Sequence, residues 1–521
     1  MALPAPASNV PAASRRHTSI EHNLKPTTFL AAQQIFEALP GLERAQETAR
    51  GHPRAPLDRT TTPHWIPNKP TWPSAVDFAS LPTTQQPTTP EASQQDQELV
   101  QPVREHPNPT QYPKGPNSMP FSLDLTDEQH DLQQWVRQFA EQVVRPVAAE
   151  WDDREELPWP VVREAAKVGL YSWETLSQVW GDPTGLSLSL LAEELFWGDA
   201  GTAMVLFGSN LAVGGILSAG TPEQILEWGP QCYGDTSDPK LAAFCVSEPG
   251  AGSDVSNLQT RARYDQATDE WILNGQKAWI TNGGVAGVHV VVASVDAELK
   301  SRGQATFVVP EGTPGLVGNR KIKKLGLRSS HTADVFLDDV RIPGRCLLGG
   351  KDKLDERLAK AREGHRTNVQ NAMKTFELTR PVVGAQALGI ARAAYEYALN
   401  YAKERVAFGR PIVENQAIAF ALADMRTEID AARLLVWRAA WMGAAGKQFH
   451  SGEGSMSKLK ASEVAVWATE RAVQILGGAG YSREHPVERM YRDAKIYTIF
   501  EGTSEIQRLV ISRSISGAAI R

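Results

Sequence analysis

The period of the apolar residues changes twice along the chain, and those two changes set the architecture. In TDEQHDLQQWVRQFAEQVVRP, Leu132, Trp135, Val136, Phe139 and Val143 recur at helical spacing behind Thr126, a natural N-cap. Pro146 stops or kinks that helix. Helix-period stretches follow over 161–169, 186–197 and 203–219. From 241 to about 348 the pattern becomes strand-like, in LAAFCVSEP, WILNGQKAWIT, VHVVVASV, ATFVVP and ADVFLDDVRIP. Asn274-Gly275, between two apolar runs, predicts a type I′ hairpin. Helical spacing returns over 382–405, 414–444 and 458–476. Helices, then strands, then helices give a segregated α+β chain rather than a doubly wound sheet. No G-x-G-x-x-G opens a helix after a strand, so a Rossmann-bound dinucleotide has no support.

Composition narrows the field. Residues 1–118 carry 19 of the 34 prolines, with Thr, Gln and Ser between them, and are expected to form a largely disordered extension. The formal charge of −6, from 54 Lys+Arg against 60 Asp+Glu, supplies no positive field for nucleic acid. No run of consecutive apolar residues reaches the length of a membrane span. The three cysteines, Cys232, Cys245 and Cys346, have no C-x-x-C spacing, and no two histidines are paired at i+3 or i+4, so neither disulfide nor metal is expected.

Three segments carry the chemistry: CVSEPGAGSD (245–254), KAWITNGG (277–284) and IFEGTSEIQR (499–508). With ERVAFGRPI, QILGGAG and HPVERMYRDAK, they make the chain from about 121 to 515 resemble the acyl-CoA dehydrogenase family of FAD-dependent flavoenzymes. The resemblance implies a helical N-terminal domain, a central β-barrel-like domain and a C-terminal four-helix bundle, agreeing with the periodicity. The expected divisions are the extension 1–118, the N-terminal helical domain 119–240, the β domain 241–348, a charged linker or insertion 349–375, and the helical bundle 376–521. It further implies removal of an α-proton by a carboxylate and of a β-hydride by the flavin, converting an acyl-CoA thioester to the trans-2-enoyl-CoA. The base needs a raised pKa, which a dry pocket supplies by desolvation. The thioester oxygen needs hydrogen bonds as enolate charge grows.

By resemblance, Glu501 is the base and Gly502 leaves room for the thioester. A second subset of the family keeps its glutamate where this chain has Thr379. Glu377 matches a pantetheine contact that is usually Asp, and Arg380 and Ser253 match residues of the substrate arm. Phe244, Val246, Ser247, Ser253, Trp279 and Thr281 match residues along the flavin ring and phosphates. Arg405, Phe408, Gln416, Gln474, Gly477 and Gly478 match residues that reach a flavin across a subunit interface, and Thr503 and Glu505 match contacts to its adenosine part. A homotetramer, an electron-transfer flavoprotein as acceptor, and a cytoplasmic location, or the mitochondrial matrix in a eukaryote, follow as expectations. Two stretches depart from the family pattern: LSQVWGDPTGLS (176–187), and 349–376, which is longer than the usual connection and predicts an exposed charged helix. The same resemblance leaves room for an acyl-CoA oxidase, a carrier-protein-linked dehydrogenase or a non-catalytic DNA-associated flavoprotein, the last opposed by Glu501 and the negative charge.

Overall fold

The computed structural model describes residues 120–364 and 379–520 in full and the helical backbone of 371–378. The Pro-rich extension 1–118 lies outside the described residues. Helix α1 (Asp127–Phe139) starts with a capping box. The Thr126 hydroxyl accepts from Gln129 N, while the Gln129 side chain accepts from Thr126 N. Pro146 brings no N–H, so the helix bends rather than ends: it widens into a π turn at Ala140–Val144, tightens at Arg145–Val147 and resumes as α2 (Ala148–Arg154). Then come α3 (Trp159–Lys167), α4 (Trp173–Trp180), α5 (Ser187–Gly198), α6 (Ala200–Phe207), α7 (Ser209–Ala219) and α8 (Pro222–Gln231).

Every residue of α5 is buried, including Glu193 and Glu194. Both carboxylates are paired: Arg433 donates to Glu193 at 2.8 Å, and Arg392 and Arg137 donate to Glu194 at 2.8 and 3.1 Å. Burial pushes the Glu193 carboxyl up, but Arg392 and Arg433 outweigh it and hold it below the usual range. The Ala200–Ala219 stretch, interrupted by small polar residues, is long and apolar enough to cross a membrane by length and composition. It is a core element instead, 83% buried over its most apolar window and broken into α6 and α7 at Gly208.

The central sheet has seven strands among the described residues: β1 (Ala242–Cys245), β2 (Arg261–Asp265), β3 (Glu270–Thr281), β4 (Val288–Ser294), β5 (Gln304–Pro310), β6 (Leu316–Gly318) and β7 (Thr332–Pro343). Their order is β1-β4-β2-β3-β7-β6, with β5 antiparallel to β4. Asn274-Gly275 is not a turn. It lies inside β3 at a register shift against β7, and the hairpin closes earlier, with Asp265 opposite Glu270. Gly275 is needed there because a Cβ would stand 2.7 Å from Thr260 Cα, so the glycine serves a bulge and a close approach.

The 349–375 stretch contains a docked helix, α9 (Lys351–Arg362), which buries Leu354, Leu358 and Ala361 and donates from Arg357 to the carbonyls of Arg302 and Gln304. The bundle follows with α10 (Asn371–Glu404), which begins before residue 376. Next are a short hairpin β8 (Val406–Ala407) and β9 (Arg410–Pro411), then α11 (Gln416–Ala444), α12 (Glu453–Leu476), α13 (Gly478–Tyr481), α14 (Val487–Ala494) and α15 (Ser504–Ser516). Helices α10, α11, α12 and α15 form the bundle, and α10 also packs on α5 and α7.

Gly389 sets the α5–α10 distance. A Cβ there would collide with the Glu193 carbonyl and stand 2.8 Å from Trp197 N, both backbone atoms that cannot step aside. Gly389→Ala is therefore expected to cost about 1–3 kcal/mol in urea unfolding, as overpacking does. Gly443→Ala, in α11 with open space around it, should instead stabilise by about 0.5–1 kcal/mol.

Candidate active site

The segment between α14 and α15 turns sharply. Glu501 and Gly502 both lie in the left-handed region, with φ of 56° and 89°. For a glutamate that backbone costs roughly 1–3 kcal/mol and persists only where its surroundings impose it. Here Lys458 Nζ on α12 donates to the carbonyls of Tyr497 at 2.6 Å and Gly502 at 2.7 Å. Gln507 Nε2 on α15 donates to the carbonyls of Glu501 at 3.1 Å and Gly502 at 3.0 Å. With the carbonyls taken, the N–H groups of Glu501 and Gly502 donate no hydrogen bond among the described residues.

The Glu501 carboxyl points to α10, where Thr379 Oγ1 donates to it at 3.3 Å and Arg380 is buried alongside. Burial pushes its pKa up, and the Lys458 ammonium, the Thr379 hydroxyl and Arg380 reduce the rise without cancelling it. Glu501, the expected base, thus faces Thr379, the position matched to the glutamate of a second subset of the family. The side chain of Glu377 lies outside the described residues.

A second group of matched residues gathers where β1 leaves the sheet. Phe244 and Val246 are buried, Ser247 is half-buried and Ser253 is exposed. The Phe244 ring lies against α7 where Gly215 leaves room, since a Cβ there would be 2.8 Å from Phe244 Cε2. Glu248 and Ala251 exchange two backbone hydrogen bonds around the intervening turn. Gly250 and Gly252 project into open space, a backbone cradle that side chains would fill. The buried Glu248 carboxylate accepts from Lys277 Nζ at 2.8 Å and Thr260 N at 3.0 Å, and Lys277 also donates to the Val246 carbonyl. Burial lowers the Lys277 pKa. It also pushes Glu248 up, but there the ammonium and the backbone N–H groups prevail, so Glu248 stays ionised. This pair fastens the loop to β3 just before a second register shift, between Lys277 and Ile280. That bulge turns Trp279 outward, with φ 63° and 65% exposure, beside the half-buried Thr281. An exposed indole wall, a hydroxyl and an open glycine backbone able to meet an anion fit a flavin nucleotide.

The remaining matched residues lie on the surface. Arg405 and Phe408 belong to the β8–β9 hairpin, Phe408 being 97% exposed, and Gln416 is exposed at the start of α11. Gln474, Gly477 and Gly478 are exposed at the end of α12, Thr503 caps α15, and Glu505 lies exposed in its first turn. Among the described residues, no hydrogen bond, ion pair or ring contact joins this group to Trp279 or Thr281.

Four residues went unassigned in the sequence. Glu248 and Lys277 stand inside the quoted motifs, Lys277 at a buried position of β3. Gln507 lies in the third motif. Lys458 shares a helix face with Ala461, Ala465, Ala468 and Ala472, a spacing that buries it among small residues. Lys277→Met would leave Glu248 buried without its cation. The expected loss is about 3–5 kcal/mol of stability in urea unfolding, with part of it restored in the Lys277→Met, Glu248→Gln double variant.

The chain matches the N-terminal, middle and C-terminal domain models of acyl-CoA dehydrogenase over 126–234, 243–340 and 369–516. It is 42% identical over 394 residues, 75% of its own length and 90% of the relative's, to the mitochondrial short-chain specific acyl-CoA dehydrogenase of Bos taurus. Butyryl-CoA dehydrogenase from Megasphaera elsdenii is 36% identical with a TM-score of 0.68, over 76% of this chain and 100% of that one. A structure described as the electron transferring flavoprotein of Acidaminococcus fermentans is 34% identical, with the same TM-score and the same shares. The chain belongs to the acyl-CoA dehydrogenase family, FAD flavoproteins that oxidise CH–CH bonds.

Proposed function

We propose that this protein binds FAD and dehydrogenates an acyl-CoA thioester to its trans-2-enoyl-CoA, with Glu501 as the base. The observation that carries the reading is the Glu501 turn itself, a carboxyl desolvated next to two N–H groups with no partner among the described residues. An α-C–H beside a thioester is a weak acid, so proton removal needs a basic carboxylate and donors aimed at the carbonyl oxygen. The Glu501 N–H, which has no partner among the described residues, would supply such a donor. Gly502 keeps that approach open, and Thr379 and Arg380 border it from α10. Bound FAD would supply the acceptor for the β-hydride. Phe244, Val246, Ser247, Ser253, Trp279 and Thr281 would line it, and Thr503 and Glu505 would meet its adenosine part. Ser253 and Glu377 would hold the substrate arm.

The assembly reading is a homotetramer in which Arg405, Phe408, Gln416, Gln474, Gly477 and Gly478 complete a neighbouring subunit's flavin site. A phenylalanine 97% exposed on a left-handed turn supports it, because the described residues of a single chain leave that ring in the open. The names of the relatives support a short acyl chain and an electron-transfer flavoprotein as acceptor, and a matrix location if the source is eukaryotic. Reduction of an artificial acceptor without peroxide release under air separates this dehydrogenase from an oxidase.

Glu501→Gln should slow anaerobic flavin reduction by ~10²–10⁴-fold, the usual loss of a general base, with FAD content unchanged. In the wild type the carboxylate is the working form and its pKa is raised, so the rate should fall on acidification at a pH above that of an ordinary glutamate. Reduction of Glu501→Gln at the wild-type rate would refute the assignment. Arg405→Ala should weaken FAD retention and tetramer together, removing a charge-assisted bond worth ~1.5–3 kcal/mol. A fully flavinated monomer in gel filtration would contradict the cross-subunit site.

A further inference from the structure

Lys458 is wholly buried, and its ammonium forms no ion pair among the described residues. Both of its hydrogen bonds go to carbonyls of the segment that carries Glu501. An uncompensated buried cation is expensive, so its place on the small-residue face of α12 calls for a reason. The reason is geometric. Tyr497, whose carbonyl Lys458 holds, is itself fully buried, with its hydroxyl donating to Gln386 on α10. Gly502 is gripped twice, by Lys458 and by Gln507, and a Cβ on Gly502 would stand 2.5 Å from Gln507 Nε2. The turn between these anchors contains the two left-handed residues and the carboxyl.

We propose that Lys458 and Gln507 are positioning residues that clamp the Glu501–Gly502 turn from α12 and α15. They fix the direction of the Glu501 carboxyl and free its N–H for the substrate carbonyl. This rests on Glu501 being the base. The two clamps differ in charge. Lys458 also acts on the carboxyl through space, together with Arg380 on α10, while Gln507 is neutral. Burial brings the Lys458 pKa down to about 8, with Glu501 and Glu505 opposing the fall and Arg380 adding to it, so the ammonium persists at neutral pH. Removing that cation leaves the carboxyl more basic, so its working form is lost at a higher pH. Removing Gln507 loosens the turn without touching the charge.

The test uses FAD-loaded wild type, Lys458→Met, Lys458→Arg, Gln507→Leu and Glu501→Gln, with butyryl-CoA reducing the flavin anaerobically across a pH series. A second reading, independent of turnover, is the Glu501 carboxyl stretch in infrared pH titration, assigned by its absence in Glu501→Gln. Lys458→Met should lose about 10²-fold in the saturated rate, the scale of a small misplacement, with KM little changed. Its acid limb and its carboxyl titration should both move to higher pH, and Lys458→Arg should restore the limb. Gln507→Leu should lose rate with the limb unmoved. Lys458→Met with wild-type rate and unmoved titration would overturn the clamp. So would a wild-type rate in Gln507→Leu, which decides the matter if Lys458→Met does not fold. If Glu501→Gln reduces its flavin normally, the base assignment fails separately, and the infrared shift alone then judges the clamp.

Discussion

Helix α10 lies against α5 at backbone contact, and the rest of the molecule is arranged around that approach. Gly389 permits it, and the buried Glu193 and Glu194 fix it through Arg433 on α11, Arg392 on α10 and Arg137 on α1. Buried ion pairs add little net stability, but removing one partner strands a charge, so the pairing penalises every other register. The same α10 carries Thr379 and Arg380 beside the Glu501 carboxyl, and packs along α12, which carries Lys458. Helix packing and site geometry are therefore one problem. A shift of α10 on α5 would move the floor of the site.

The β domain solves the complementary problem of presenting a large aromatic face to the outside. A regular β3 would alternate Trp279 with its neighbours, but the bulge after Lys277 puts it on a left-handed backbone and exposes it. The Lys277–Glu248 pair holds the glycine-rich turn at that bulge, so the indole and the open backbone of Gly250 and Gly252 keep a fixed relation. Both halves of the site thus use left-handed non-glycine residues braced by a buried lysine.

Much of this was legible in the sequence, for identifiable reasons. The helix–strand–helix order follows from period alone, and the Thr126 N-cap follows from its place just before the first helical residues. Glu501 stood out because its motif is contiguous. The clamp did not, because Lys458 lies far from Glu501 along the chain and its meaning appears only when α12 meets the turn. Asn274-Gly275 misled because a bulge needing close backbone approach asks for the same glycine as a hairpin. Helix α9 read as an exposed charged segment, yet Leu354, Leu358 and Ala361, at i, i+4 and i+7, are enough to dock it. The Ala200–Ala219 run shows that apolarity alone cannot separate a core helix pair from a membrane span.

The central claim is that the Glu501 turn and the Trp279 wall act on one acyl thioester, with bound FAD as the oxidant that would accept its hydride. Anaerobic titration of the FAD-loaded protein with a panel of acyl-CoAs of increasing chain length tests it most directly, read as bleaching of the flavin absorbance. The account predicts bleaching that saturates with thioester, strongest for short chains, and formation of the 2-enoyl product. FAD that stays oxidised with every acyl-CoA in the panel would contradict it.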